Sequence, residues 1–466
     1  MKKFCLLWMV LSLILAVPVS ASETQPTAMD NISCYSLDAA QAVLGKEELV
    51  ENADSIIVYE RNSSTLMYAW NADERVYPAS LVKIMTGLIV AEEGNMDEAV
   101  TVKESILSQI PSDAATTGLQ PEEVISVKDL YYCMMVSSAN DAAAVLADHL
   151  YGSQDAFIAR MNEYASELGC TGTNFKNVHG LHEDDQYTTV RDMAKILSAA
   201  LDNPIFTTAF GTEKYTVNPT NKSEVRYLVT GNYLMSMDDV EYYYDSRVTG
   251  GRTGVTNEGY RNIAVSAETG TMELVCILTG AESTLAENGY SVEVFGGYDE
   301  ISALLDMSSD NYQVTQVIYD EQVLTQMPVN GGECDVVLGP DTSVLAVLPT
   351  SVKTTDLTYR YPNQSVDLNA PIQRGEQISS VEVWYKTTCV ARSDLYAMND
   401  VEAVQTESIP SSEQTVQRDL KGLWIVLGVL AGIAVLVLVL RLISRIRYRA
   451  ASRRSRHNRA NRRRSR

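Results

Sequence analysis

The sequence predicts an α+β protein: a sheet with a block of helices segregated from it, then a small all-β domain and one apolar helix near the C-terminus. Three observations carry that prediction. β-rich runs at Ser55–Glu60 and Thr65–Trp70 precede a helical block, and strands return at Arg247–Thr249, Asn262–Ala267 and Glu273–Leu278. From Gln313 onward, short alternating segments separated by turn residues dominate. Near the end, Gly422–Leu440 contains no charged residue. With 466 residues, 45% of them hydrophobic, the chain is long enough for two or three domains and can build a sizeable core.

Both ends read as membrane chemistry. Lys2-Lys3, the apolar run Phe4–Val17 and the small residues Val19-Ser20-Ala21 are the parts of a secretory signal peptide over residues 1–21. The nineteen apolar residues from Gly422 span roughly 28 Å as a helix, close to the thickness of a bilayer core, and Leu442 and Ile443 extend the run. Arg441, Arg445, Arg447 and Arg449 follow, and positive charge favours the cytoplasmic side. The expected organisation is a transmembrane helix at 422–443 and a basic cytoplasmic tail at 444–466. That tail is expected to be disordered when free, and either rests on anionic lipid heads or acts only as a topology signal. The body would then stand on the outer face of the cell membrane, held by a single pass.

All 60 Asp and Glu lie in residues 22–420, with only 22 of the 37 Lys and Arg. So acidic a body repels nucleic-acid phosphates, which excludes nucleic acid as a partner of the main domain. Six cysteines beyond Cys5 (Cys34, Cys133, Cys170, Cys276, Cys334 and Cys389) are widely spread. They do not form a disulfide scaffold, although an occasional bridge is compatible with the spacing.

Along the body, Arg61-Asn62-Ser63-Ser64 joins the first two strands as a hairpin. The apolar run Leu81–Ala91, closed by Gly94, predicts a helix. Val127–Val136 and Ala142–Leu150 predict two more, interrupted by Ser137-Ser138-Ala139-Asn140. Ala156–Leu168 has apolar residues at helical spacing, and Thr189 with Asp192 predicts a capping box opening Met193–Leu201. Tyr298–Met307 is the last helix before the β domain, placed at 309–398. Residues 399–421, polar and carrying Pro410-Ser411-Ser412, read as a linker.

Three short stretches carry candidate chemistry. In Ser80-Leu81-Val82-Lys83, residues i and i+3 of a helix share one face, so a lysine kept neutral can take the serine proton. Ser138-Ala139-Asn140 either caps the helix that follows or offers a proton-relaying hydroxyl and an amide that holds a peptide. Arg252-Thr253-Gly254 follows Gly250-Gly251, where glycines let another chain approach, and a cation with a hydroxyl suits a carboxylate.

Ser-x-x-Lys, Ser-x-Asn and a basic-Thr-Gly triplet, in that order, resemble the active-site set of penicillin-binding proteins and serine β-lactamases. Leu130–Ala143, Thr173–Leu181, and Tyr187-Thr188-Thr189 with Asp192 resemble the D-alanyl-D-alanine carboxypeptidase branch, the low-molecular-weight penicillin-binding proteins, over roughly Ser36–Ala281. The resemblance implies an antiparallel sheet with a helical subdomain, no metal and no cofactor. It also implies hydrolysis of the terminal D-Ala–D-Ala bond of peptidoglycan stem peptides, with β-lactams as covalent inhibitors. By the same resemblance Ser80 is the nucleophile, Lys83 its base, and Ser138 a proton carrier. Asn140 orients Lys83 and the substrate. Arg252 and Thr253 hold the terminal carboxylate, beside Gly254, and the N–H groups of Ser80 and Val255 form the oxyanion hole. The chain departs from the family at Arg252, where Lys is usual.

Alternatives are a β-lactamase-like hydrolase, for which no class A Glu-x-x-Leu-Asn is found, and an anchored wall-binding sensor without turnover. A metallo-carboxypeptidase is disfavoured by only four histidines and no His-Glu-x-x-His; His179 and His182 are read as shaping a loop.

Overall fold

The computed structural model describes residues 42–45, 49–236, 241–285, 292–362, 367–404 and 412–461. The expected signal peptide, Cys34 and the last residues of the tail lie outside these.

A five-stranded antiparallel sheet organises the first part of the chain. Its strands are β1 (Ser55–Glu60), β2 (Thr65–Trp70), β3 (Val248–Val255), β4 (Arg261–Thr269) and β5 (Met272–Ala281), in the order β2-β1-β5-β4-β3. All six residues of β1 are buried, which explains why its sequence shows no polar alternation. Ile57 and Tyr59 enter one core with Leu66, Ala264 and Ile277. Ile56 and Val58 enter a second core with Met67, Val265 and Cys276. Side chains two apart share a face, so the sheet serves two cores at once. Burying each of these Ile, Leu, Val and Met side chains stabilises by about 1.5–3 kcal/mol.

The first core is built mainly by six helices, with Ile106 added from the single turn Glu104–Leu107: α1 (Val82–Glu93), α2 (Val127–Ser137), α3 (Asn140–Tyr151), α4 (Gln154–Glu167), α5 (Val190–Ala200) and α6 (Pro204–Phe210). Helix α1 is buried without interruption from Val82 to Ala91 and packs against all five of the others. A helix apolar on every side has no solvent face, so a lysine at its start is carried inside. The second core is closed by α7 (Tyr298–Asn311) through Tyr298, Ile301, Leu304 and Leu305. Helices therefore cover both faces, which refines the expectation of a block segregated from the sheet.

Two local expectations are corrected. Helix α5 starts at Val190, and Thr189 does cap it by accepting from the Asp192 N–H at 3.0 Å. The reciprocal half of a capping box is not what Asp192 does: its carboxylate accepts from the Gly172 N–H at 2.7 Å and the Thr173 hydroxyl at 2.8 Å. Asn140 is not a cap either, since it is the first residue of α3 and follows Ala139, which makes no side-chain capping bond.

Residues 312–401 form strands around their own core, which includes Val336, Leu338, Val381, Val383, Ala391 and Leu395. One sheet runs Thr325–Met327, Val336–Gly339, Thr388–Ala397, Gln377–Tyr385, Leu357–Arg360, and Tyr312–Ile318 pairs separately with Val344–Pro349. Val347 reaches the second core of the first part of the chain, and the Val314 N–H donates to the Thr271 hydroxyl at 2.8 Å. Cys389 is disulfide-bonded, while Cys133, Cys276 and Cys334 are free thiols.

A separate unit holds α8 (Ser412–Asn461), within which Gly422–Arg447 is long and apolar enough to cross a membrane. The helix begins inside the stretch expected to be a linker and continues into the tail expected to be disordered. Extending a formed helix fixes one residue per hydrogen bond, and Arg and Ala are good helix formers, so the flanks follow the apolar run.

Candidate active site

The site begins at a strained corner. Pro78 ends the approach, Ala79 adopts φ 48°, and a short 3-10 turn over Ala79–Leu81 leads Ser80 into α1. Buried Asn262 fixes this approach: its amide donates to the Tyr77 carbonyl at 2.8 Å and its oxygen accepts from the Gly280 N–H at 3.1 Å. Two glycines let other segments close around it. A Cβ on Gly254 would stand 2.7 Å from the Ser80 nitrogen, so β3 reaches the serine only as glycine. Gly180, at φ 88°, faces the Ala79 carbonyl, where a Cβ would stand 1.9 Å from the oxygen.

Lys83, fully buried on the first turn of α1, is held from three sides. Its Nζ lies 3.2 Å from Ser80 Oγ and 2.7 Å from Asn140 Oδ1, and it also donates to the His179 carbonyl. Ser138 terminates α2 in the left-handed region, φ 61°, which swings its hydroxyl to donate to Ser80 Oγ at 3.0 Å. Helix α3 then starts at once, so Asn140 faces Lys83. Sequence reasoning singled out these four side chains, and the fold brings them into one hydrogen-bonded cluster.

Other participants were not legible. The His179 carbonyl is presented by a loop organised on Asn177, whose Oδ1 accepts from the Gly180 N–H at 2.7 Å and whose Nδ2 donates to the Leu181 carbonyl at 2.8 Å. The segment Thr173–Leu181 carries part of the family resemblance, but no chemistry in its residue types shows that a backbone oxygen receives the Lys83 amine. Asp141 follows Asn140 and draws a strap over the site by accepting from the Thr117 and Leu119 N–H groups. Arg226 donates to the Thr117 and Gly118 carbonyls and pairs bidentately with buried Glu123 at 2.7 and 2.9 Å.

Arg252 departs from the expectation. Its guanidinium is buried at 4% exposure, with Nη1 donating to the Met135 carbonyl at 2.5 Å and Nε to the Ser80 carbonyl at 3.4 Å. It does not line the cleft at Ser80, a cavity of about 350 Å³ that also receives Ser138, Asn140, Thr253, Gly254 and Val255. Arg252, expected to face the cleft with Thr253, instead bonds the Met135 and Ser80 carbonyls, and of the pair only Thr253 lines this cleft.

The electrostatics suit a neutral lysine. Burial, and then the Arg252 charge, hold the Lys83 amine well below its ordinary range, opposed by the Asp141 carboxylate. Arg252 itself is lowered to about 10 by burial and keeps its charge at neutral pH. The His179 imidazole falls to about 3 through burial and the charge of Lys83, and its Nδ1 accepts from the Leu181 N–H at 3.3 Å. It is a neutral loop element at working pH, as expected of a histidine that shapes a turn.

The chain is similar in sequence and fold to known proteins. The family described as D-alanyl-D-alanine carboxypeptidase (Peptidase S11) matches residues 43–283, and the C-terminal domain of penicillin-binding protein 5 matches residues 312–403. The chain is 27% identical over 360 residues to D-alanyl-D-alanine carboxypeptidase DacF of Bacillus subtilis, covering 76% of this chain and 87% of that one. It is 28% identical over 380 residues to DacC of Escherichia coli, covering 78% and 88%. Among solved structures, penicillin-binding protein 5 from Haemophilus influenzae superposes with a TM-score of 0.65 at 27% identity, over 77% of this chain and all of that one. With half of its length matched by that family and its serine, lysine and Ser-x-Asn residues in mutual contact, the chain belongs to the Peptidase S11 family of D-alanyl-D-alanine carboxypeptidases.

Proposed function

We propose that this chain removes the terminal D-alanine from peptidoglycan stem pentapeptides through an acyl-enzyme on Ser80. The observation that carries the reading is a buried amine, 3.2 Å from the Ser80 hydroxyl, whose charge is disfavoured by burial and by Arg252. Neutral Lys83 takes the Ser80 proton as Oγ attacks the carbonyl carbon of the penultimate D-alanine. The N–H groups of Ser80 and Val255 stabilise the oxyanion, typically the largest single contribution in acyl transfer. Ser138, in contact with Ser80 Oγ, relays the proton that Lys83 took on to the leaving amine; the C–N bond breaks to release D-alanine, and Lys83 is neutral again. Water then attacks the ester, with Lys83 again as base, and frees the shortened peptide. Thr253 meets the terminal carboxylate in the cleft, and Arg252 acts on it and on Lys83 through its field.

The direct test uses the full chain in detergent with a pentapeptide and with benzylpenicillin. Released D-alanine, and a penicilloyl adduct mapped to Ser80 by peptide mass, support the reading. An adduct elsewhere, or none, sinks it.

The acid side of the rate profile should follow Lys83. The base must be neutral, so kcat/KM rises with pH through the lysine pKa, and the depressed value moves this limb down from the ordinary lysine range. His179 titrates near 3 and adds nothing above pH 5. A limb centred in the ordinary lysine range would contradict the assignment.

Arg252→Lys keeps a cation in place and should retain kcat/KM within about tenfold, or ~1.4 kcal/mol. An inactive parent with an active Arg252→Lys would show instead that the guanidinium disables the site.

Further proposals concern placement. Residues 1–21 direct export, residues 22–308 carry the chemistry, and the β domain at 309–398 raises it above the membrane. Residues 422–443 cross the membrane once, leaving the Arg-rich end inside. The apolar helix 422–447 supports this arrangement.

A further inference from the structure

Behind Ser138 lies a second cavity of about 180 Å³, lined by Met135, Ser138, Thr230, Asn232, Arg252 and Thr253 among others. Two of its lining side chains carry buried donors with no partner, Arg252 Nη2 and Asn232 Nδ2. Both residues are more than nine-tenths buried, at 4% and 1% exposure. Arg252 is a buried cation that no Asp or Glu pairs with among the described residues. The only group that raises its pKa by charge is the Tyr131 phenol, itself neutral because burial pushes its pKa well above the ordinary value. A buried charge without a counter-ion is costly, and a roomy polar cavity beside it does not stay dry. Water can satisfy the two donors, but only an anion offsets the charge.

We propose that this cavity binds a small monovalent anion, held by Arg252 Nη2 and Asn232 Nδ2, and that its occupancy tunes the base of the reaction. The coupling rests on the reading of Lys83 as general base. The groups facing Lys83 are Ser80, Asn140, the His179 carbonyl and its neutral imidazole, with the Arg252 and Asp141 charges acting at longer range. Arg252 disfavours the ammonium form. An anion on Arg252 cancels that effect and lets Lys83 hold its proton to higher pH. The acid limb of kcat/KM then moves up, so the anion inhibits on the limb and has no effect on the plateau.

The experiment uses the full chain in detergent and bromide as the probe, against gluconate at constant ionic strength. Saturating bromide should move the limb up by about one pH unit, with KM on the plateau unchanged. Crystals soaked in bromide should show an anomalous peak between Arg252 and Asn232, a readout that does not depend on turnover. Asn232→Asp keeps the oxygen that accepts from the Leu234 N–H at 3.2 Å and brings a fixed carboxylate to the cavity. It should shift the limb upward without added anion and abolish the bromide response. A plateau rate for benzylpenicillin acylation equal to the parent's verifies that the variant is folded. No peak and no limb shift would mean that water alone fills the cavity, and bromide competing with the peptide would mean that the substrate's own carboxylate occupies it; either result overturns the proposal. A peak without a limb shift would overturn the coupling and leave the anion site standing; the role of Lys83 as base fails separately, if the limb lies in the ordinary lysine range with either salt.

Discussion

Lys83→Met should lower kcat/KM for D-alanine release by about 10³–10⁴-fold, the upper range for losing a positioned general base, while the protein stays folded. Methionine fills nearly the same volume, so helix α1 keeps its packing in the core. The lost amine leaves the Asn140 oxygen and the His179 carbonyl without a donor, at about 1–3 kcal/mol each if nothing replaces it. Against this, the variant no longer buries an ionisable amine next to Arg252, which works in the stabilising direction. The net change should be a melting temperature lower by no more than about 10 °C. Benzylpenicillin acylation should slow in parallel, because the same proton must leave Ser80. Activity within tenfold of the parent, with an intact melting transition, would remove Lys83 from the mechanism and shift attention to Ser138.

Gly180→Ala should damage both stability and chemistry, although residue 180 carries no reactive group. Its φ of 88° is costly for any residue with a Cβ, by about 1–2 kcal/mol. A Cβ there would also stand 1.9 Å from the Ala79 oxygen and 3.0 Å from the Ser80 nitrogen, so the nucleophile corner must move. Overpacking of this kind costs about 1–3 kcal/mol, for a total of roughly 2–5 kcal/mol. A displacement of the serine near 1 Å should slow acylation about 10²-fold. Gly152→Ala is the matched control: φ is 75°, but nothing lies within 4 Å of the added carbon. It should share the backbone cost and leave the acylation rate unchanged. Equal acylation rates in the two variants would show that the contact with Ala79 does not position Ser80.

The local elements were largely legible. The bounds of β1 and β2 coincide with the apolar runs read from the residues, and the turn between them falls at Arg61–Ser64. Such features depend on neighbours in the chain, whose period and turn residues are visible at once. The readings that changed all involved a side chain or backbone group meeting something distant. Asp192, expected to complete a capping box, turns to Gly172 and Thr173, which outcompete a local bond once the loop is folded. Arg252, expected to face a carboxylate, bonds the Met135 carbonyl 117 residues away. Asn177 and Asn262 carry no motif that separates them from the other asparagines. Only their backbone partners reveal that one shapes the loop under Lys83 and the other secures Tyr77.

By itself the sequence determined which residues are chemically able to act: a serine and a lysine one turn apart on a helix apolar all round, a Ser-x-Asn at a helix break, and glycines flanking a cation. It also determined the apolar span at Gly422–Leu440, because membrane-spanning length and composition are local properties. The tertiary structure decided the rest. Burial of α1 on every side strips Lys83 of water, and Arg252, carried in on the edge strand β3, disfavours its charge. Desolvation and Coulomb interactions depend on what surrounds a group in space, so the same Ser-x-x-Lys on an exposed helix would hold an ordinary, protonated lysine and an inert serine.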